Sequence, residues 1–554
     1  MENKSIARTL RLFSQLLDLH EENPFKVRSV ANAAFKVDKL SFPIATKSLE
    51  EMSSMEGIGK STASKICELI QTEHISELDE LITATPPGIV EMLQVKGIGP
   101  KKVSIIWKEL GIESVGELYY ACNENRLIEA KGFGLKTQEE LLKVLEFRMA
   151  SSGRMLFAKV EAMAEQLLLN LQKALPNIAV SLSGEYRRRM EIIDQVDILV
   201  GQLASEFRKE QLPANLNIVL DEKGFMHTED AIPVRFHFCH AADFGWELIQ
   251  TTGSSSHVNN LEKLLTGKTV SGKSEMEIYS LAGLEFVPPE LREGNLELAW
   301  AANKSLPVLL KYTDLKGSLH NHSTWSDGVN TLEEMALFCR DQLKLEYLGI
   351  CDHSKSAFYA NGLNEIRVAA QHREIDELNS KLAPFRIFKG IESDILYDGS
   401  LDYSDQVLAS FDFVVASVHS VLKMNEEKAT QRLIKAIENP YTTILGHPTG
   451  RLLLSRSGYP IDHQKVIDAC AANGVVIEIN ANPLRLDLDW RWHQYALEKG
   501  VMLAINPDAH RREGFYDMHY GVLVGRKGGL SATHCLNALN LEQIDTFFKK
   551  RKPA

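Results

Sequence analysis

The chain has 554 residues, of which 44% are hydrophobic and 25% are charged, and its formal net charge is −12. A chain of this length holds several domains of roughly 100–200 residues, and no apolar run approaches the ~18 residues of a membrane helix. The acidic balance argues weakly against a nucleic acid partner, because a polyanion prefers basic surfaces. Carboxylates gathered around bound metal ions would account for part of that charge.

The first residues, MENKSIARTLRLFSQLLDLHEENPF, are charged and amphipathic and do not resemble a signal peptide. The seven cysteines are scattered and form no CxxC pair, which is typical of reduced thiols. We therefore expect a cytoplasmic protein.

Residues 1–150 have a helical pattern and contain one short phrase three times: MEGIGKSTASKI, VKGIGPKKVSII and AKGFGLKTQEELL. The glycines allow a tight turn that points backbone N–H groups and a helix N-terminus at a phosphate. Such contacts do not depend on base sequence. Although a single Gly-x-Gly also closes ordinary helical hairpins, three copies followed by lysines favour DNA binding. The candidate residues are Gly57, Gly59, Lys60, Gly97, Gly99, Lys101, Lys102, Gly132, Gly134 and Lys136.

From residue 151 the pattern changes to α+β. The helical run MLFAKVEAMAEQLLLNLQKAL leads to the strand-like runs IAVSLSGEY, VDILVG and IPVRFHFC, for which we predict an antiparallel sheet. The Pro-containing stretch LEFVPPELREGN follows, and we place the next boundary near residues 306–315.

Beyond Lys316, apolar runs alternate with amphipathic helical stretches. The seven runs are GSLHNHS, YLGICDHS, FRIFKGIESDI, FDFVVASVHS, TTILGHP, GVVIEINAN and VMLAINPDAH. This alternation predicts parallel strands. Seven units without an obvious edge strand indicate a closed or nearly closed β/α barrel.

Almost every one of these runs ends in an imidazole or a carboxylate. Because the C-terminal ends of parallel barrel strands meet at one face, we expect these side chains to converge on one cleft. A lone histidine at a strand end is more often a cap or a core residue, but packing does not explain the whole set. So many ligands indicate two or three divalent ions, and the donor types suit zinc, manganese or iron. The candidates are His320, His322, Asp327, His353, Glu392, His419, His447, Asp508 and His510.

Bound divalent ions activate water near neutral pH and neutralise phosphate oxygens as charge builds in the transition state. The set therefore predicts hydrolysis of phosphate esters without a Ser-His-Asp or Cys-His arrangement.

The phrases HNH, SDG, CDH, GIES, SVHS, GHP and DAH resemble the PHP (polymerase and histidinol phosphatase) domain. The resemblance implies a distorted seven-stranded barrel with three metals. By the same resemblance, the first metal is held by His320, His322, Glu392 and Asp508, the second by Glu392, His419 and His447, and the third by Asp327, His353 and His510.

In its order of segments, the whole chain resembles a bacterial family X DNA polymerase. The implied fold is multidomain: all-α helix-hairpin-helix modules, an α+β palm and thumb, and a distorted (β/α)7 PHP barrel. The implied domains are a lyase-like domain at 1–80, a fingers-like helix-hairpin-helix domain at 81–150, a palm at 151–240, a thumb at 241–310 and the PHP domain at 311–554. Lys65 is similar in position to the family's Schiff-base lysine, although a helical lysine is more often a solvated side chain.

The palm departs from the family pattern of Gly-Ser-x-Arg-Arg-Gly followed by Asp-x-Asp. The run GEYRRRMEIIDQVDILV keeps Gly184, Arg187 and Arg188, and the arginines suit either phosphate contact or salt bridges. Gln195 stands in place of the first aspartate and Pro233 in place of the third, so that Asp197 is the one catalytic carboxylate left. Two-metal nucleotidyl transfer needs three carboxylates. We therefore expect an inactive polymerase site, with magnesium there only if activity survives.

The leading hypothesis is a DNA repair nuclease. In this hypothesis the barrel removes 3′ nucleotides or 3′ blocking groups, or cuts at abasic sites. The family resemblance implies a manganese-dependent 3′–5′ exonuclease. We expect a monomer that binds gapped or 3′-recessed duplex DNA and no membrane. The alternatives are an active gap-filling polymerase, a small-molecule phosphatase and a DNA-binding scaffold without enzymatic activity.

Overall fold

The computed structural model describes residues 1–95, 97–128, 130–150, 153–207, 218–220, 226–228 and 232–552. Backbone contacts divide the chain into two compact units, Met1–Met149 and Ala150–Ala554. The predicted boundary at residue 151 lies outside the described residues, and the five-domain division stays a prediction. No helix in the described part of the chain is long and apolar enough to cross a membrane.

The first unit is helical, as predicted. Ser48 and Ser114 each begin a helix with a capping box, which satisfies backbone N–H groups of the first turn. Leu10, Phe13 and Leu17 are fully buried along one face of the first helix. The helices are α1 (Asn3–Leu19), α2 (Pro24–Asp38), α3 (Leu49–Ser53), α4 (Lys60–Thr72), α5 (Ser76–Thr83), α6 (Pro87–Met92), α7 (Pro100–Ser104), α8 (Val115–Asn123) and α9 (Leu135–Ala150).

The three Gly-x-Gly phrases share one backbone geometry. Gly57, Gly97 and Gly132 have φ values of +88°, +98° and +85°, a region that L side chains rarely adopt. Each phrase is followed by a helix (α4, α7 and α9 in turn), which begins directly after its second glycine. Each phrase therefore presents a helix N-terminus behind a tight turn.

The second unit begins with an α/β region, residues 155–302. Its strands are β1 (Met155–Leu156), β2 (Val180–Ser183), β3 (Ile192–Ile193), β4 (Val196–Val200), β5 (Ile218–Leu220), β6 (Met226–Thr228) and β7 (Pro233–Phe238). Its helices are α10 (Phe157–Ala174), α11 (Gly184–Arg187), α12 (Phe244–Thr252), α13 (Ser255–Leu264), α14 (Glu275–Leu281) and α15 (Glu297–Ala302). The larger sheet has the order β2-β4-β7-β6-β5.

The prediction of a purely antiparallel sheet was wrong. β4 pairs with β7 in parallel, while β2–β4, β5–β6 and β6–β7 pair antiparallel. The hairpin β5–β6 lies in the chain between β4 and β7, and β5 and β7 both run in the same direction as β4. Alternating apolar patterns do not reveal such a reversal, because both pairings bury the same face.

The remainder of the second unit is the predicted β/α barrel. Its parallel strands neighbour one another in chain order: β8 (Gly317–Ser318), β9 (Tyr347–Ile350), β10 (Arg386–Asp394), β11 (Phe413–Ser417), β12 (Ile444–Leu445), β13 (Val476–Asn480) and β14 (Leu503–Asn506). A parallel bridge between Asn321 and Ala509 joins the two ends of the series and nearly closes the barrel. The multidomain fold class is thus confirmed.

Helices surround the barrel, and the strands are buried on both faces, as expected of parallel strands under helices. The helices are α16 (Leu332–Asp341), α17 (Glu365–Leu382), α18 (Asp405–Leu408), α19 (Glu426–Ile437), α20 (His463–Asn473), α21 (His493–Glu498), α22 (Met518–Lys527) and α23 (Leu541–Arg551). Phe388, Phe413 and Phe548 belong to the core cluster that fills the barrel.

Buried polar contacts join the α/β region to the barrel. Glu191 accepts hydrogen bonds from Trp490 Nε1 and Arg491 Nη1, both at 3.0 Å. The Lys527 side chain is fully buried, donates to the carbonyl of Arg188 at 3.0 Å and pairs with Glu293. These contacts fix the two parts of the unit to each other.

Candidate metal centre

The nine predicted ligands lie where the barrel strands end. Because the strands are parallel and neighbour one another in order, their C-terminal ends meet at one face. His320 and His322 follow β8, Asp327 lies in the adjoining loop, His353 follows β9, Glu392 lies within β10, His419 follows β11, His447 follows β12, and Asp508 and His510 follow β14.

One group of side chains surrounds Asp327. Its Oδ2 lies 3.3 Å from Nε2 of His353 and 3.4 Å from Nε2 of His510. Its Oδ1 lies 3.7 Å from Nδ1 of His322. Each of these four residues offers one ligand atom within 4.8 Å of the others, a spacing that one metal ion can bridge.

A second group consists of His320, His322 and Asp508 and shares His322 with the first. His322 Nε2 lies 3.0 Å from Asp508 Oδ1, and His320 Nε2 lies 3.6 Å from the same oxygen.

The third group surrounds Glu392. Its Oε2 lies 2.9 Å from His353 Nδ1, and its Oε1 lies 3.1 Å from His419 Nε2 and 3.0 Å from His447 Nε2. The structure therefore brings all nine residues together. These groups overlap with those that the resemblance implies, and the assignment of ligands to individual metals stays a prediction.

The chemistry of the site fits divalent ions. Among the described residues, Nε2 of His320 and Nδ1 of His322 are buried and have no hydrogen-bond partner. Buried polar atoms without a partner are costly, and a metal ion would satisfy them. Imidazole nitrogens together with carboxylate oxygens are the donors that zinc, manganese and iron accept.

The electrostatics of the site favour an ionised Glu392 and a neutral His322, whereas at His320, His353 and His419 the neighbouring carboxylates outweigh burial and raise the pKa of the imidazole. Burial raises the pKa of Glu392, but His419, His320 and His353 outweigh it and hold this pKa well below the usual value. Burial, with the neighbouring His510 and His353, lowers the pKa of His322 to about 4. An ionised carboxylate and a neutral imidazole are the forms that coordinate metals.

The sequence did not single out the residues that orient these histidines. Glu478 of β13 accepts a hydrogen bond from His320 Nδ1 at 2.7 Å, and Asp394 pairs with Nδ1 of His419. In both histidines Nε2 is left to face the centre, the usual arrangement of a carboxylate behind a metal-binding imidazole. The missed signal was an acid inside an otherwise apolar strand, as in VVIEIN.

Asp352 is a third residue that the sequence did not single out. It accepts hydrogen bonds from the backbone N–H and hydroxyl of Ser323 and Ser326, and from Gln371. It therefore fixes the turn that carries Asp327.

Comparison with known proteins covers the whole chain. The chain is 34% identical to "DNA polymerase/3'-5' exonuclease PolX" of Bacillus subtilis (strain 168), over 99% of this chain and 100% of that relative. The chain belongs to the bacterial family X DNA polymerases with a C-terminal PHP domain.

Shorter matches agree with this family. Residues 1–75 match the family described as "Helix-hairpin-helix domain", and residues 89–146 match "SAM-like Helix-hairpin-helix tandem". A "Probable phosphatase" of Acetivibrio thermocellus is 28% identical over 42% of this chain and 95% of that relative. Another, from Thermoanaerobacter sp. (strain X514), is 30% identical over 32% of this chain and 73% of its own length. These phosphatases match the C-terminal part, where the barrel lies.

Asp197, the carboxylate that remains in the palm, contacts two neighbouring side chains of the same region. Its Oδ1 accepts from Gln195 Nε2 at 2.9 Å and lies 2.7 Å from Nε2 of His237. Asp194 precedes β4, is two-thirds exposed and lies 3.2 Å from Nε of Arg154. Within the described residues, the α/β region contributes no group of three potential metal ligands.

The two palm arginines, Arg187 and Arg188, are paired with glutamates. Arg187 makes two hydrogen bonds to Glu275, at 2.8 and 2.7 Å, and Arg188 donates to Glu293 at 2.9 Å and to the carbonyl of Thr252 at 2.7 Å. Of the two roles that the sequence left open, these contacts favour the structural salt bridge.

The candidate DNA-binding lysines lie at the helix starts of the hairpins, where Lys60, Lys101 and Lys136 are exposed. Lys65 is different, because its Nζ lies 2.7 Å from Glu77 Oε2, and Lys26 pairs with the same carboxylate. An ion pair of this kind is the ordinary role of a partly buried lysine on a helix. This contact favours a structural role for Lys65.

Proposed function

We propose that this protein is a DNA repair nuclease in which the PHP barrel removes nucleotides from DNA 3′ ends and the palm no longer polymerises. The observation that carries the proposal is the convergence of nine imidazoles and carboxylates, seven buried and two partly buried, at the C-terminal face of the barrel.

The side chains of the barrel have separable tasks in this proposal. When bound, divalent ions supply activated water and neutralise charge on the phosphate. Glu478 and Asp394 hold the rings of His320 and His419 with Nε2 toward the centre. Asp352 holds the turn of Asp327. Preorganisation of this kind avoids rearrangement during the reaction.

DNA is the proposed substrate because of the first unit. Three turns with one geometry place glycine N–H groups and exposed lysines at helix N-termini, which suits contacts to a phosphate backbone. The B. subtilis relative is a DNA polymerase/3'-5' exonuclease by its printed name, which supports the 3′–5′ direction.

The loss of polymerase activity is proposed from the palm. Gln195 and Pro233 stand at carboxylate positions of the family pattern, and Asp197 is bonded to Gln195 and His237. Arg187 and Arg188 are paired with acids rather than left for a nucleoside triphosphate. Clamping two magnesium ions needs more carboxylates than remain.

A comparison of His322→Ala with Asp398→Asn tests this function. Asp398 is exposed and pairs with Lys435 on the outside of the barrel, so it is a matched control. We expect His322→Ala to bind less manganese and to degrade a 5′-labelled oligonucleotide at least about 100-fold more slowly. Its affinity for gapped DNA should be unchanged, since the first unit is intact. Equal degradation by the two variants contradicts the proposal.

A further inference from the structure

The loop that follows His353 is held in one conformation. Ser354 Oγ and Ser356 N both donate to Asp402, at 2.7 and 3.0 Å, and Leu363 N donates to the carbonyl of His353 at 2.8 Å. A Cβ at Gly362 would lie 1.9 Å from the carbonyl oxygen of Ser354, so the two arms of the loop are in direct backbone contact. The tip of the loop therefore has a fixed position.

Two aromatic residues, Phe358 and Tyr359, follow each other in the chain at that tip. The Tyr359 ring packs edge-on against two candidate ligands, with centroids 6.1 Å from His353 and 6.5 Å from His419. Phe358, its neighbour in the chain, is 89% exposed. Because Phe358 directly precedes Tyr359, the exposed ring belongs to the residue next to the one that packs on the candidate ligands.

The surroundings of Phe358 are polar. Asn361 is exposed, and Lys355 is 41% exposed and lies 2.8 Å from Glu365. Arg367 donates to the carbonyls of Asn361 and Gly362. Protein docking usually requires a contiguous apolar patch of a few hundred Å². A single aromatic ring beside cations is instead typical of surfaces that stack one base of a single-stranded nucleic acid.

We propose that Phe358 stacks on the 3′-terminal base of a single DNA strand whose last phosphodiester lies at the metal centre. This inference rests on the proposed nuclease function and adds to it a residue that contacts the base of the terminal nucleotide. The residue acts on the base alone and takes no part in the chemical step.

The test compares the full-length wild type with Phe358→Ala, Phe358→Trp and Ile366→Ala. Ile366 is 81% exposed at the start of the next helix, so its variant removes a similar apolar side chain without an aromatic ring. One substrate is a single-stranded oligonucleotide with an ordinary 3′ nucleotide. The second has the same sequence with a 3′ nucleotide that lacks its base. A third oligonucleotide carries 2-aminopurine at the 3′ end, whose fluorescence falls when the base is stacked.

We expect Phe358→Ala to lower kcat/KM about tenfold on the ordinary end and to leave the baseless end unchanged. Phe358→Trp should restore the rate, and Ile366→Ala should match the wild type. The wild type and Phe358→Trp should quench 2-aminopurine, while Phe358→Ala should not.

The outcomes separate the two proposals. Equal loss on both substrates, or equal quenching by wild type and Phe358→Ala, overturns the stacking role and leaves the nuclease function standing. Absence of cleavage by every variant contradicts the nuclease function, and quenching alone then decides whether Phe358 stacks on the base. Equal loss in Ile366→Ala also overturns the inference, because it indicates a general apolar contact.

Discussion

At the scale of single residues, the carboxylates behind the histidines decide how well the centre is formed. Glu478 lies inside a strand whose every residue is buried, where an isolated charge would be costly. It accepts from His320 Nδ1, from the backbone N–H of His447 at 2.8 Å and from Asn506 Nδ2 at 3.0 Å. Glu478 therefore holds one residue at the C-terminal end of each of three strands, β8, β12 and β14.

We predict that Glu478→Gln lowers nuclease activity by about 10–100-fold and weakens manganese binding, because the amide fixes the His320 ring and its tautomer less strongly. Measured metal content and the rate on a 5′-labelled oligonucleotide check this. Glu498→Gln, at an exposed position after the same strand, should behave as wild type. A Glu478→Gln protein with full metal content and rate shows that this carboxylate does not position His320.

Some residues of the site could be predicted from the sequence and others could not. The convergence of the nine candidate ligands was predictable because most of them stand at the end of an apolar run, where a polar side chain has no packing role. Glu478 and Asp352 were not predictable in the same way. Their task depends on hydrogen bonds to residues 158 and 26–29 positions away, and strand periodicity contains no information on such partners.

At the scale of elements, the last helix closes the barrel. Phe548 of α23 stacks on Phe413 of β11 with centroids 4.9 Å apart and meets Phe388 of β10 edge-on at 5.2 Å. All three side chains are nearly or fully buried. The position of α23 therefore depends on one aromatic cluster.

We predict that Phe548→Ala lowers the free energy of unfolding of the second unit by about 3–5 kcal/mol, because it leaves a cavity among aromatic rings. Urea unfolding followed by tryptophan fluorescence reports on this unit, since five of the six tryptophans lie in it. Phe547→Ala, at a partly buried neighbour, is the control and should cost less. Equal midpoints for the two variants show that α23 is not held by this cluster.

The barrel strands were easier to predict than the α/β sheet. Seven runs in alternation with helices leave little choice of topology, although β8 and β12 contain only two residues each. In the sheet, β4 pairs in parallel with β7 although the hairpin β5–β6 separates them in the chain, and apolar patterns are the same for either direction.

At the scale of the whole molecule, the α/β region and the barrel form one compact unit, Ala150–Ala554. Lys527 is the most buried ion in their contact, beside Glu293 and the Trp490 ring at 4.4 Å. Burial lowers the pKa of Lys527, and Glu293 opposes this shift. These contacts make the α/β region a fixed support for the barrel.

We predict that Lys527→Met destabilises the second unit by about 1.5–3 kcal/mol, because Glu293 keeps Arg188 but loses its second cationic partner, and the carbonyl of Arg188 loses a donor. Lys499→Met is the matched control: its ion pair with Asp468 is exposed and should contribute at most about 1 kcal/mol. Denaturant midpoints of the two variants check this. A Lys527→Met midpoint equal to that of the control contradicts a structural role for this contact.

The central claim is that the barrel degrades DNA while the palm is inactive, and one gel assay tests both halves. A 5′-labelled primer on a gapped template is incubated with all four deoxynucleoside triphosphates and Mn²⁺, using wild type and His322→Ala. We predict shortening by the wild type, no shortening by His322→Ala and no lengthening by either protein. Lengthening by both proteins would contradict the account, because it would mean that the palm polymerises despite Gln195 and Pro233.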